Sequence, residues 1–195
     1  HQGVDTVYIA AQIVVALQTI VARNTDPLDS AVVTVGYIAA GSASNIIPQT
    51  AKLVGTVRAL SEETRQRTID RVGQIAEHTA AAFGGRAEVR FGEDGYPATY
   101  NDARARAVVE QTVRDALADT IRMRELENPI MGAEDFAFYG QRVPAFMFGL
   151  GLRPRGAFSY PMLHQPDFDF NDDAIAYGVQ MHVEIARGFA QKWGV

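Results

Sequence analysis

The chain has no cysteine, which excludes disulfide staples and thiolate chemistry of any kind. It has no excess of basic charge. Eighteen Lys and Arg stand against 23 Asp and Glu, a net charge of −5, and that balance makes nucleic acid an unsuitable main partner. A long hydrophobic run is missing too. The longest apolar stretch, Ile9 to Ala22, contains Gln12, Gln18 and Thr19 and is too short by itself to span a bilayer, so no membrane partner is expected. No signal peptide is visible, and the cytoplasm is the expected location. Internal repeats and low-complexity tracts are absent. What is there is a globular composition, 47% hydrophobic and 21% charged over 195 residues, enough for one ordinary domain or two small ones. The opening His1-Gln2-Gly3-Val4-Asp5 is no natural initiation site, and the chain is expected to be part of a longer protein.

Periodicity orders the first half. Asp5 or Thr6 caps a helix to about Asn24, with Ile9, Ile13, Ala16, Leu17, Ile20 and Val21 on one stripe. Ala31 to Ala40 is valine-rich and reads as a strand, and Gly41 to Asn45 as a turn. A second strand runs from about Ala51 to Leu60. Leu53, Gly55, Val57 and Ala59 share one face, and Lys52, Val54, Thr56 and Arg58 the other. Ser61 caps a helix whose stripe is Ile69, Val72, Ile75, Ala76, Thr79 and Phe83, closed by Gly84-Gly85. Ala87 to Phe91 reads as a short strand. With one further strand before residue 1, this order is the split βαβ, ferredoxin-like sandwich. The break at Tyr96 to Asn101 places a domain boundary near residue 97.

The second half reads as a helix from Asp102 to Leu117, a short strand around Ile121 to Leu126, and a turn opening a short helix at Met131 to Phe136. A buried strand follows from Val143 to Gly151, and then a final helix from Asp172 to Trp193 burying Ile175, Val179, His182 or Val183, and Ala186. Between the last two lies Tyr160-Pro161-Met162-Leu163-His164-Gln165-Pro166. Two prolines exclude interior helix and central strand, so this is a stiff loop presenting one imidazole. Such a loop suits a metal or proton-transfer site, although on its own residues His164 reads first as an ordinary hydrogen-bonded loop histidine.

Four motifs occur in order: Gly41-Ser-Ala-Ser-Asn45-Ile-Ile-Pro48, Gly55-Thr-Val-Arg58, Met131-Gly-Ala-Glu-Asp-Phe136 and Leu163-His164-Gln-Pro-Asp-Phe168. Together they resemble the M20 metallopeptidase family, in particular its amidohydrolase branch of hippurate and N-acyl-amino-acid hydrolases. The resemblance covers essentially the whole chain but only the second half of a family member. It implies an α/β (α+β) protein in two parts. Residues 1–97 match a ferredoxin-like lid domain lacking its first strand, and residues 98–195 match the C-terminal segment of a zinc-peptidase-like catalytic domain. It further implies a hydrolase cleaving the amide bond of N-acyl amino acids, working with two divalent ions (zinc, manganese, nickel or cobalt) and dimerising through the lid. His164 falls on the family's last metal ligand. Asn45 and Arg58 match lid residues that grip the substrate's carboxylate and nearby carbonyl, and Gly132 belongs to a loop that approaches the substrate with its backbone.

The residue types agree with those roles. A guanidinium on an open strand face can hold a carboxylate bidentately, and an asparagine amide can donate to an oxyanion. The ordinary alternatives are a turn asparagine and a solvated sheet arginine. Glu134 and Asp135 read as the first turn of a short helix rather than a catalytic pair. His78 reads as a solvated helix residue, His182 as a core or boundary residue, and His1 lies out of register with the family's transition-state histidine. The resemblance places the remaining metal ligands and the general base before His1, so no catalytic residue is expected within this chain and the segment alone is expected to be inactive. Two further readings stay open: a dipeptidase or carboxypeptidase of the same family, and a non-catalytic dimerisation or ligand-binding module.

Overall fold

The computed structural model describes residues 1–92 and 95–194. They form two compact units. The first comprises His1–Ala98 with Asn128–Asp135, and the second Thr99–Glu127 with Phe136–Val195.

In the first unit α1 (Thr6–Thr19) starts where the Asp5 carboxylate accepts hydrogen bonds from the N–H groups of Val7 and Tyr8, at 2.9 and 3.0 Å. That cap satisfies donors the first turn leaves without intrahelical partners. The helix runs on as a single π turn, Ile20–Asn24, closed by the Thr25 hydroxyl donating to the Ile20 carbonyl. Taken together, Thr6–Asn24 is long and apolar enough to cross a membrane, which the shorter count from Ile9 to Ala22 does not show. Its setting is that of a core helix. Ile9, Ile13, Leu17 and Ile20 are buried against Ala76 and Ala80, with Val33, Val35, Val72 and Ile75 packed around them. Each such aliphatic side chain contributes about 1.5–3 kcal/mol of transfer free energy. Val21, expected on the stripe, is exposed.

α2 (Glu62–Ala82) begins at Ser61, whose hydroxyl accepts from the Thr64 N–H. Its buried residues include Thr64 and Thr68 as well as Ala76 and Ala80. Phe83, expected inside, is exposed and meets Tyr8 edge-on at 5.1 Å.

β1 (Ala31–Ala40) and β2 (Ala51–Ala59) form an antiparallel hairpin, from Ala31 opposite Ala59 to Ala40 opposite Ala51. The register slips between Val35 and Tyr37, leaving Gly36 as an unpaired residue. Cross-strand partners share a face. Val33 and Val35 therefore lie with Val57 and Gly55 on the core side, whereas beyond the bulge Tyr37 joins Val54 on the outer side. A single inserted residue reverses the alternation of everything after it. Ala87 to Phe91 is a correction. It alternates, with Ala87 and Val89 packed on the core and Glu88 and Arg90 exposed, yet joins no ladder.

In the second unit α3 (Ala103–Thr112) is capped by Asp102, whose carboxylate accepts from the Ala105 N–H at 2.8 Å, and continues as a π turn, Val113–Leu117. Val109, Val113 and Leu117 pack with Met181 of α5 (Ile175–Trp193). A short α4 (Ala137–Gly140) follows the Met131–Phe136 turn. Two expected strands are corrected here. Neither Ile121 to Leu126 nor Val143 to Gly151 is a strand. A strand exists by virtue of a laddered neighbour. The second segment instead rests Phe146 and Phe148 on the core, with the Asn101 amide bonded to both the N–H and the carbonyl of Met147. The buried face of α5 is also corrected. Met181 and half-buried Ile185 face the core, while Ile175, Val179 and Val183 are exposed. This helix is apolar on more than one side, so periodicity alone could not choose the side.

Candidate functional site

His164 is the only described residue other than glycine with a positive φ, +69°. Left-handed backbone puts Cβ against the following carbonyl and costs about 1–2 kcal/mol. The loop holds it there. Gln165 N–H donates to the Met162 carbonyl at 3.2 Å, which closes a four-residue turn with His164 in the third position. Only His164 among its non-glycine residues has positive φ, the sign pattern of a type II turn, whose third position is ordinarily glycine. The Tyr160 hydroxyl donates to the Asp169 carbonyl, and the Tyr160 and Phe168 rings meet edge-on at 6.4 Å. The imidazole itself is exposed and makes no hydrogen bond to a described residue. Strain of this kind persists where the surroundings over-determine it, and it concentrates at functional sites.

A neutral imidazole with both nitrogens free suits zinc and its neighbours in the first transition row. His164 therefore fits as one ligand. Among the described residues no three His, Asp or Glu side chains come together to hold an ion, so no complete centre exists in these residues.

Arg58 is half-buried on β2 opposite Val32, and its Nη1 donates to the Val57 carbonyl at 3.1 Å. Arg65, Arg67, Arg90, Arg106, Arg114 and Arg187 all pair with carboxylates. Arg58 meets none among the described residues. A half-buried arginine with unspent guanidinium donors is suited to an incoming anion.

Asn45 sits in the loop joining the strands, exposed, at the rim of an open depression of about 610 Å³ lined by Asp5, Val7 and residues 40–48. The Thr6 hydroxyl donates to the Pro48 carbonyl at 2.8 Å, pinning this loop to the start of α1. The structure does not bring Asn45 and Arg58 together. From Arg58 to Ala51, where β2 meets the loop, the strand runs roughly 20 Å at about 3.3 Å per residue.

Gly132 is exposed, has no positive φ, and a Cβ there would meet only the Ile130 side chain at 3.7 Å. The fold itself does not demand glycine at this position. Glu134 and Asp135 are exposed and precede α4. His78 is exposed on α2 with Nδ1 2.6 Å from the Gln74 carbonyl, and His182 is exposed with its ring 5.5 Å from Phe148. Among the described residues the displaced titrations belong to ion-paired or hydrogen-bonded Asp29, Glu62, Arg65, Arg106 and Glu125. None of these is a candidate site residue. Sequence reasoning missed Gln165 and Tyr160, since a loop glutamine and tyrosine carry no spacing signal. It also missed the Gly36 bulge, for which a glycine inside a strand was the available hint.

Residues 5–188 match the family model for peptidase family M20/M25/M40. The chain belongs to that family. Within it, the chain is 36% identical over 182 residues to an N-acetyldiaminopimelate deacetylase of Streptococcus thermophilus, covering 92% of this chain and 45% of that protein. It is 33% identical over 193 residues to thermostable carboxypeptidase 2 of Saccharolobus solfataricus, covering 98% and 48%. Among solved structures it resembles the Bacillus subtilis YXEP protein, a dinuclear metal-binding peptidase of the M20 family, with a TM-score of 0.70 and 27% identity over 94% of this chain and 46% of that one. The chain thus spans about half the length of the curated relatives it matches.

Proposed function

We propose that this chain is the lid and the C-terminal catalytic segment of a metal-dependent amidohydrolase that cleaves N-acyl amino acids at the amide bond. The observation that carries the reading is His164, one free imidazole held in strained backbone by a proline-framed turn, in a motif that resembles the one carrying the family's last metal ligand. Divalent ions, when bound, supply Lewis-acid activation of the amide carbonyl and of water. What these residues do is hold one ion and the substrate. Arg58, which pairs with no carboxylate among the described residues, receives the substrate carboxylate. Asn45 donates to the neighbouring carbonyl oxygen, and Gly132 lets the backbone come close. The donors that complete a two-metal site are not among the described residues, so this segment alone is expected to be inactive.

The order helix, hairpin, helix, with Ala87 and Val89 on the same core, supports a ferredoxin-like lid completed by one further strand. The separation of Asn45 from Arg58 supports a homodimer built on that lid. In such a dimer a two-fold axis perpendicular to the strands sets the loop end of one hairpin beside the base of the other, bringing Asn45 of one protomer and Arg58 of its partner to a single ligand.

The test is a hydrolysis screen of N-acetyl, N-benzoyl and peptidyl amino acids with the full-length protein and added divalent metals, with and without His164→Ala. Metal content and N-acyl hydrolysis should fall together in the variant; unchanged stoichiometry removes His164 from the site. A carboxypeptidase is the second reading, favoured by the similarity to thermostable carboxypeptidase 2 over 98% of this chain. Turnover of peptidyl but not N-acetyl substrates selects it.

A further inference from the structure

Two contacts of Gln165 converge on the turn that carries His164. Its backbone N–H donates to the Met162 carbonyl at 3.2 Å, and its side-chain Oε1 accepts from the Met162 N–H at 2.6 Å. One residue therefore closes the turn from both sides. Its own carbonyl accepts from the Phe168 N–H at 3.1 Å, and Pro166, the next residue, restricts it to extended backbone. The main-chain bond alone is long, and the side-chain bond is the shorter of the two. A left-handed histidine relaxes unless such contacts over-determine it.

We propose that Gln165 is a positioning residue: its amide oxygen locks the Met162–Gln165 turn and so fixes the direction in which His164 presents its imidazole. The proposal rests on the reading of His164 as a metal ligand. Groups that orient a ligand from behind typically change metal affinity about 10- to 100-fold when removed. The acceptor is what matters. Gln165→Leu keeps the volume and loses the bond, whereas Gln165→Glu keeps an oxygen in the same place.

The experiment uses the full-length protein, with zinc as the probe, and two readouts: the zinc dissociation constant by competition with a chelating dye, and hydrogen exchange of the Met162 amide in metal-free protein. Gln165→Leu should speed Met162 exchange by about tenfold and weaken zinc binding by about tenfold, with KM unchanged. Gln165→Glu should restore both to within about twofold of wild type. Gln165→Leu binding zinc as tightly as wild type, in a preparation where His164→Ala has lost it, overturns the role of Gln165 and leaves His164 a ligand. If His164→Ala retains zinc as well, the ligand reading itself fails and the proposal with it. Slow Met162 exchange in Gln165→Leu also overturns it, because the side-chain bond is then not what closes the turn.

Discussion

A histidine at φ +69° bears a cost that its neighbours do not. Glycine is free of that cost because it has no Cβ, while alanine suffers it in full. Comparing His164→Gly with His164→Ala isolates the backbone, since both lose the imidazole. The glycine variant should be the more stable by about 1 kcal/mol, read as the difference in urea midpoints at a common m-value. Equal midpoints show that residue 164 leaves the left-handed region once the ring is gone. Arg58 poses a different question at the same scale. The residue is half-buried and meets no carboxylate among the described residues, so truncation breaks no described ion pair and should leave stability nearly untouched. Arg58→Ala is expected to raise KM at least tenfold with kcat within about threefold, the pattern of lost ground-state binding. A wild-type KM with a reduced kcat argues against a carboxylate clamp.

Among the elements, the hairpin is the most tightly specified. A Cβ on Gly55 would lie 2.3 Å from the Thr34 carbonyl oxygen and 3.3 Å from the Val35 Cα, both backbone atoms that cannot swing aside. Gly55→Ala should therefore cost about 1–3 kcal/mol, the usual range for overpacking, and loss of less than half a kilocalorie shows that the strands part without difficulty. The segment after α1 is tied to α2 by a different device. The Thr64 hydroxyl donates to the Asp29 carboxylate, with the Ser30 N–H and Arg67 also contributing. Those contacts hold the Asp29 carboxyl below its ordinary value near 3.8. A carboxylate whose folded pKa is depressed contributes stability that is present above the unfolded value and is lost as pH falls through the folded one. The stability difference between wild type and Asp29→Asn should accordingly be constant from pH 7 to about 5 and shrink below about 4. A difference independent of pH down to 2.5 would remove the charge from the argument.

The elements also show where sequence was sufficient. α1, β1, β2 and α2 were legible because each carries both a period and a stop signal: Asp5 and Ser61 as caps, Gly84-Gly85 as an end. The extended segments at Ala87, Ile121 and Val143 were legible as apolar and extended. They were not legible as coil, because ladder membership depends on a neighbour rather than on the segment itself. The same limit applies to the site. His164 could be singled out from its prolines, but neither its φ nor the double closure by Gln165 has a compositional trace. That Asn45 and Arg58 lie at opposite ends of the hairpin follows from the register, which a list of motifs in order conceals.

At the scale of the whole molecule that separation has a consequence for how a complete site is assembled. Asn45 is fixed near the start of α1 by the bond from Thr6 to Pro48, and Arg58 lies opposite Val32 at the far end of β2. Roughly 20 Å of strand lies between them, farther than an extended arginine and an asparagine side chain reach together. If both grip the proposed substrate, the proposed homodimer draws Asn45 of each site from one protomer and Arg58 from the other. Asn45→Ala and Arg58→Ala homodimers should then each be weak, because every site lacks one group. Denaturing the two full-length variants together and refolding them at equal concentration gives half heterodimers by chance. Each heterodimer contains one site lacking both groups and one site with both intact. About a quarter of all sites are therefore restored, and the mixture should recover about 25% of wild-type activity on an N-acyl amino acid substrate, from the statistics of two-fold pairing. Recovery should follow heterodimer content when the mixing ratio is varied. Activity that stays at the mean of the two variants places both residues in the same protomer's site, and would require the Gly41–Pro48 loop to leave its anchor on Thr6.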